Sequence, residues 1–242
     1  MAKGKFAFKL KTKLYFISIG MVILLSAVVL FEFEQGVKEQ RKGKIDGFSL
    51  YYENLSSTIS QLFYNKYNNI QSFARNRDLK DKNAEGSEFV LNELATLYPD
   101  TDYFVLTDLD GKVIASSTID SNGKKLNHKF LKDHSFSNEE WFKRTKSGKY
   151  TEDLKKKIFG AYVGEMHLDP VATKLYGSKR MGHFFSTLIE DEYGDPLAVL
   201  GSFINARWVE NEISNLYEVL AHNGMNSAEI HLINKKGQPI TF

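Results

Sequence analysis

Hydrophobic positions change their period along this chain, and each change marks an element. Residues Leu14 to Phe31 read LYFISIGMVILLSAVVLF, 18 residues without a charge. As a helix they span roughly 27 Å, close to the hydrocarbon thickness of a bilayer. The pattern predicts a transmembrane helix over 14–33. From Val37 to about Arg75 the apolar residues Phe48, Tyr52, Leu55, Ile59, Leu62, Tyr67, Ile70 and Phe73 recur mostly three or four apart, with polar residues between them. That period predicts a stalk helix over 34–76. Its first part continues the membrane helix and its later part packs on a domain. The same stripe suits pairing with a second copy of the chain, so a homodimer through the stalk is expected beside intramolecular packing. Asp78 to Ser87 reads as a polar connector. Glu88 to Tyr98 reads as a shorter helix with Phe89, Leu94 and Leu97 on one side, stopped by Pro99-Asp100.

The period then shortens. Tyr103–Thr107 and Lys112–Ser116 are strand-like runs around the turn Asp108-Leu109-Asp110-Gly111, which predicts a β-hairpin. Ser137 with Glu140 three residues later has the form of a capping box, so a short helix carrying Trp141 and Phe142 starts there. Met181–Glu190 and Leu197–Asn205 predict a second hairpin across Tyr193-Gly194-Asp195-Pro196, and Gly201 inside the last strand marks a bulge or a close backbone approach. Ala206–Ala221 is amphipathic and ends at Asn223-Gly224. The order gives an α+β fold, a small antiparallel sheet with helices on one side. The closing run Glu229–Ile240 repeats the first hairpin at an offset of 126 residues, placing Asn234 on Asp108 and Gly237 on Gly111. It reads as a second module that begins and is cut short.

Charge orients this layout. Lys3, Lys5, Lys9, Lys11 and Lys13 precede the apolar segment, and Glu32 and Glu34 follow it. By the positive-inside rule, residues 1–13 are a cytoplasmic tail and the chain beyond about residue 34 lies outside a plasma membrane. Removing those five lysines from the net charge of +2 leaves −3 on residues 14–242. A mildly acidic main domain argues against a nucleic-acid partner. Cysteine is absent, which removes disulfides, thiolate metal sites and cysteine nucleophiles.

Taken together, the anchor, the long leading helix, FVLTDLDGKVIASS, SFSNEEWFKR, LAVLGSFINA and the restart EIHLINKKGQPI resemble the double Cache family of extracytoplasmic sensors. The resemblance covers nearly the whole chain. It implies a PAS-like membrane-distal module over 77–222, a membrane-proximal module begun at 223–242, and a small-molecule ligand held in the distal one. It further implies a cytoplasmic output, most often chemotactic, with a histidine kinase or a cyclic-nucleotide enzyme as alternatives. Members that bind amino acids carry Arg-x-Trp-aromatic at the short helix. Here Trp141 and Phe142 match, but Glu139 stands where the arginine would grip a carboxylate. The family's aspartate at the end of the last strand falls on Asn205. A ligand other than an α-amino acid is therefore expected, with a cationic or neutral polar end. Tyr150 and Tyr162 join Trp141, Phe142, Glu139 and Asn205 as candidate lining residues, since aromatic groups commonly wall such pockets.

Catalytic patterns are missing. The six histidines include no i, i+4 pair and no HExxH, and there is no phosphate loop or nucleophile elbow. Asp108-x-Asp110-Gly111 has its glycine too early for a calcium loop and reads as turn chemistry. Asp153, Glu165 and Asp169 read as scattered, solvated acids. Neither enzymatic activity nor a cofactor or metal is expected.

Overall fold

The computed structural model describes residues 10–153 and 158–231, and the side chains of 10–20 and 22–24 lie outside the description. The first element, α1, runs from Leu10 to Phe73. The chain divides within it into two compact units, residues 1–54 and 55–242. In the first unit, Met21, Leu25, Val28, Val29, Leu30 and Phe31 are exposed. Among the described residues no helix is long and apolar enough to cross a membrane. Much of the anchor predicted over 14–33 lies outside the residues whose side chains are described.

The second unit is an α+β module. After α1 come α2 (Arg77–Lys80), α3 (Ala84–Leu97), β1 (Thr101–Thr107), β2 (Val113–Ser116), a 3-10 turn (Lys129–Asp133) and α4 (Glu140–Lys146). There follow β3 (Tyr162–Val163), β4 (His167–Leu168), α5 (Pro170–Tyr176), β5 (Met181–Glu190), β6 (Pro196–Asn205) and α6 (Arg207–His222). The described pairings are antiparallel, in the order β2-β1-β6-β5-β3, with β4 also on β5. The two predicted hairpins form as β1–β2 and β5–β6.

Three expectations change. The polar stretch 78–87 is mostly helical, because Asn76 and Asn83 accept the amide hydrogens of Asp78 and Glu85 and start α2 and α3 there. The earlier start puts Ser87, Leu91 and Ala95 on the buried face of α3, while Phe89 and Leu97 are exposed. At α4 the proposed capping box is absent. The helix opens at Glu140 with Glu139 at the N-cap, and Glu139 makes no side-chain capping bond. Finally, both faces of the sheet are covered. On one face Phe104, Leu106, Phe185, Leu200 and Ile204 pack with Tyr67 and Ile70 of α1 and Leu91 of α3. On the other, Tyr103, Val105, Phe184, Val199 and Phe203 pack with Trp141 and Phe142 of α4 and Val171 and Leu175 of α5. A strand apolar on both faces loses the simple alternation that separates core from solvent, and every residue of β1 is buried. The repeat expected at 229–240 lies largely outside the described residues.

Candidate functional site

The α1 face carries two grooves of about 370 and 200 Å³, and the opposite face opens into a larger cleft of about 540 Å³. Its position follows from how α4 is held. The Thr145 hydroxyl donates to the Trp141 carbonyl at 2.7 Å, or is shared with the Ser186 hydroxyl of β5 at 2.6 Å. The Trp141 ring lies parallel to Phe184, with centroids 4.5 Å apart and planes 11° apart. Gly201 makes that seat possible, since a Cβ there would stand 2.9 Å from Trp141 Cζ3. The glycine singled out in the last strand therefore marks a close approach, and the pairing of β6 with both neighbours runs through it in register.

Trp141, Phe184, Tyr162 and His167 supply the rings of the cleft, and Glu139, Glu140, Arg144 and Glu165 supply its charge. The Arg144 guanidinium lies over the Tyr162 ring, 5.7 Å from its centre. His167 lies nearly parallel to Phe184, with centroids 6.4 Å apart. Its Nδ1 is 2.9 Å from the Glu165 carbonyl, which only accepts, so this nitrogen carries a hydrogen. Its Nε2 faces the Asp169 carboxylate at 3.7 Å. Asp169 stabilises the charged ring and raises the His167 pKa above the ordinary histidine value, against the opposing effect of burial. Asp169 is itself buried. It caps α5 through the Ala172 amide and accepts the Tyr103 hydroxyl at 3.3 Å. Burial and then the Asp169 charge push the Tyr103 pKa well above the usual phenol range, so it stays a neutral donor.

Of the residues expected from sequence, Glu139, Trp141 and Tyr162 line this cleft. Phe142 is buried beside it, its ring 6.0 Å from Trp141 and perpendicular to it. Tyr150 lines a separate polar groove with Gln71, Arg75 and Glu190. Asn205 lies at the end of β6, outside the cleft lining. Its amide donates to Asp102 Oδ1 at 3.0 Å, and its oxygen accepts the Arg207 amide at 3.1 Å. Asp102 is 3.6 Å from Arg180 and 3.5 Å from Arg207, yet burial dominates and raises its pKa.

His167, Phe184 and Asp169 were missed as site residues. The expectation that Asp169 is solvated is corrected, since it is buried beneath the cleft; Glu165 is exposed as expected and lies on the cleft rim. Asp169-Pro170 carried a readable signal, an N-cap residue before a proline at the first helical position. Nothing in the sequence placed His167 against Phe184, because a two-residue strand brings them together. Among the described residues no group of three or more His, Asp or Glu side chains is placed to hold a metal ion.

No protein-family model and no curated protein matches the chain. Among solved structures, it is similar to an extracellular ligand binding receptor from Desulfohalobium retbaense, at 10% identity and a TM-score of 0.45, over 67% of this chain and 26% of that one. A second is the extracellular domain of a candidate histidine kinase, at 15% identity and a TM-score of 0.37, over 66% of this chain and 60% of that one. A third is a domain of a candidate sensory box/GGDEF family protein from Vibrio parahaemolyticus, at 17% identity and a TM-score of 0.39, over 64% of this chain and 62% of that one. The chain thus spans less than two thirds of each of these structures. Likeness this distant leaves ligand and output to the residues themselves.

Proposed function

We propose that residues 77–222, together with the C-terminal part of α1, form the extracytoplasmic sensing module of a transmembrane receptor. The module binds a small molecule in the cleft of Trp141, Tyr162, Phe184 and His167. The observation that carries this reading is the cleft itself, about 540 Å³, where the largely buried rings of Trp141, Tyr162 and Phe184 lie beneath a rim of charged and polar groups, within the size range of a metabolite site. Glu139, Glu140 and Glu165 outnumber Arg144 and His167 on its rim, and aromatic faces attract cations. The ligand has a cationic or neutral polar end. It acts by its difference in affinity for two packings of the module, which is the energy available for signalling.

In this reading residues 14–33 sit in the plasma membrane with the N-terminus cytoplasmic. Two copies pair through α1, where Val37, Ile45, Phe48 and Tyr52 are exposed. The chain has no catalytic role of its own, and the output is chemotactic. The test is a thermal-shift screen of the detergent-solubilised chain with amines, quaternary ammonium compounds, polyols and amino acids. A ligand that raises the melting temperature, and no longer does so in Trp141→Ala, supports the reading. A screen with no such compound, or turnover of one, overturns it. A reporter fused after residue 40 and found in the cytosol would overturn the membrane part.

A further inference from the structure

We infer that Tyr67 ties the wall of the cleft to α1, so that the long helix registers whether the cleft is filled; the inference rests on the cleft being the ligand site. The described lining comes from α4, Thr151, residues 162–167 and Phe184, with no residue of α1. A change in the cleft therefore reaches α1 only through one of its walls. Tyr67 lies on α1 and is 3% exposed. Its hydroxyl accepts the Ala161 amide hydrogen at 3.0 Å and donates to the carbonyl of Thr151 at 2.9 Å or of Ala161 at 3.1 Å. Thr151 and Tyr162, the residue after Ala161, both line the cleft. The Thr151 hydroxyl also accepts the Val163 amide hydrogen at 3.0 Å, which staples the two segments of that wall together. One phenol thus holds both segments at once, with its ring set among Ile70, Phe185 and their neighbours in the core.

The other contacts of α1 differ in kind. Ile59 and Phe63 share a groove with Val163, but apolar contact is non-directional and tolerates sliding. Lys66 pairs with Asp100 at 2.6 Å, just before β1 and outside the cleft lining. Tyr67 joins direction, burial and connection to the wall, which makes it a positioning residue for the cleft.

The chain has no cysteine, so one can be placed at Glu165, which is exposed and lines the cleft. Glu165→Cys alkylated with pyrene maleimide then carries a covalent occupant. Hydrogen exchange of residues 59–73 is compared before and after labelling in the full chain. With Tyr67 present, and equally in Lys66→Met, labelling should change exchange by roughly threefold or more. In Tyr67→Phe, which keeps the ring, the labelling-dependent change should vanish. Thr151→Ala leaves the backbone bonds of Tyr67 in place and removes the staple to Val163, so it should reduce the change without abolishing it; it serves if Tyr67→Phe does not fold, and no reduction there overturns the inference. A change of equal size in Tyr67→Phe, no change with Tyr67, or equal loss in Lys66→Met overturns the inference. Because the occupant is covalent, failure here is separate from failure of the ligand screen.

Discussion

On β5, His183 points toward α1 and lies between Phe63 and Phe185, with ring centroids 5.5 and 5.1 Å away. One strand across, His167 of β4 pairs with Gly182 and lies on the cleft face over Phe184. The same side chain, one strand apart, is tuned in opposite directions. Burial, followed by the charges of Lys66 and His167, lowers the His183 pKa to about 4. The neighbouring Asp169 raises that of His167. The difference comes from what covers each face. Helices long enough to lie across the sheet exclude water and penalise charge. On the opposite face, short helices and two-residue strands leave a gap where charge is solvated and paired.

This contrast can be broken in four ways. The largest effect belongs to Gly182→Ala. A Cβ there would overlap the Ile204 carbonyl oxygen of β6, and a backbone atom cannot yield as a side chain can. We expect a loss of more than about 3 kcal/mol or no folded protein, read as the urea midpoint or as loss of near-ultraviolet dichroism.

The next effect is acid destabilisation through His183. Its folded pKa is lowered, so the unfolded chain takes up a proton first as pH falls below about 6.5. Stability present above that pH is progressively lost down to about pH 4, roughly 3 kcal/mol in all. Urea midpoints at pH 7.5 and 4.5 should therefore converge in His183→Leu relative to the parent. An unchanged slope in that variant would place the acid sensitivity elsewhere.

Gly201→Ala acts on the cleft face alone. It forces Trp141 off Phe184 at about 1–3 kcal/mol and shifts tryptophan emission to the red. Unaltered emission would mean that Trp141 does not depend on this gap.

Asp169→Asn should change stability least, since asparagine also caps helices, but it removes the charge beside His167. The sign is opposite to that of His183. Stabilisation by the raised group is complete below the ordinary histidine pKa and fades as pH rises through the folded value. In a proton-resonance titration the His167 midpoint should fall in Asp169→Asn while the acid transition of His183 stays in place.

Elements closed by local chemistry were legible. Both hairpins turn on an aspartate that accepts two amides and a glycine three residues on. Asp108 accepts those of Asp110 and Lys112, and Asp191 those of Tyr193 and Asp195. The same chemistry at Asp120, with the amides of Asn122 and Lys124, went unread because the strands beside it are only isolated bridges. Trp141 and Tyr162 were legible as candidates by residue type, and Glu139 by its departure from a family pattern. Their company in one cleft was not.

The chain's own order of residues determined the long helix and the hairpins, because periodicity and turn geometry act over a few neighbours. Only the tertiary structure decided that the sheet is covered on both faces, that Asp169 is buried against Tyr103, and that Tyr67 reaches residues 151 and 161. Those contacts join positions tens of residues apart. Whether a polar side chain meets water, a partner or a cleft depends on which elements close over it.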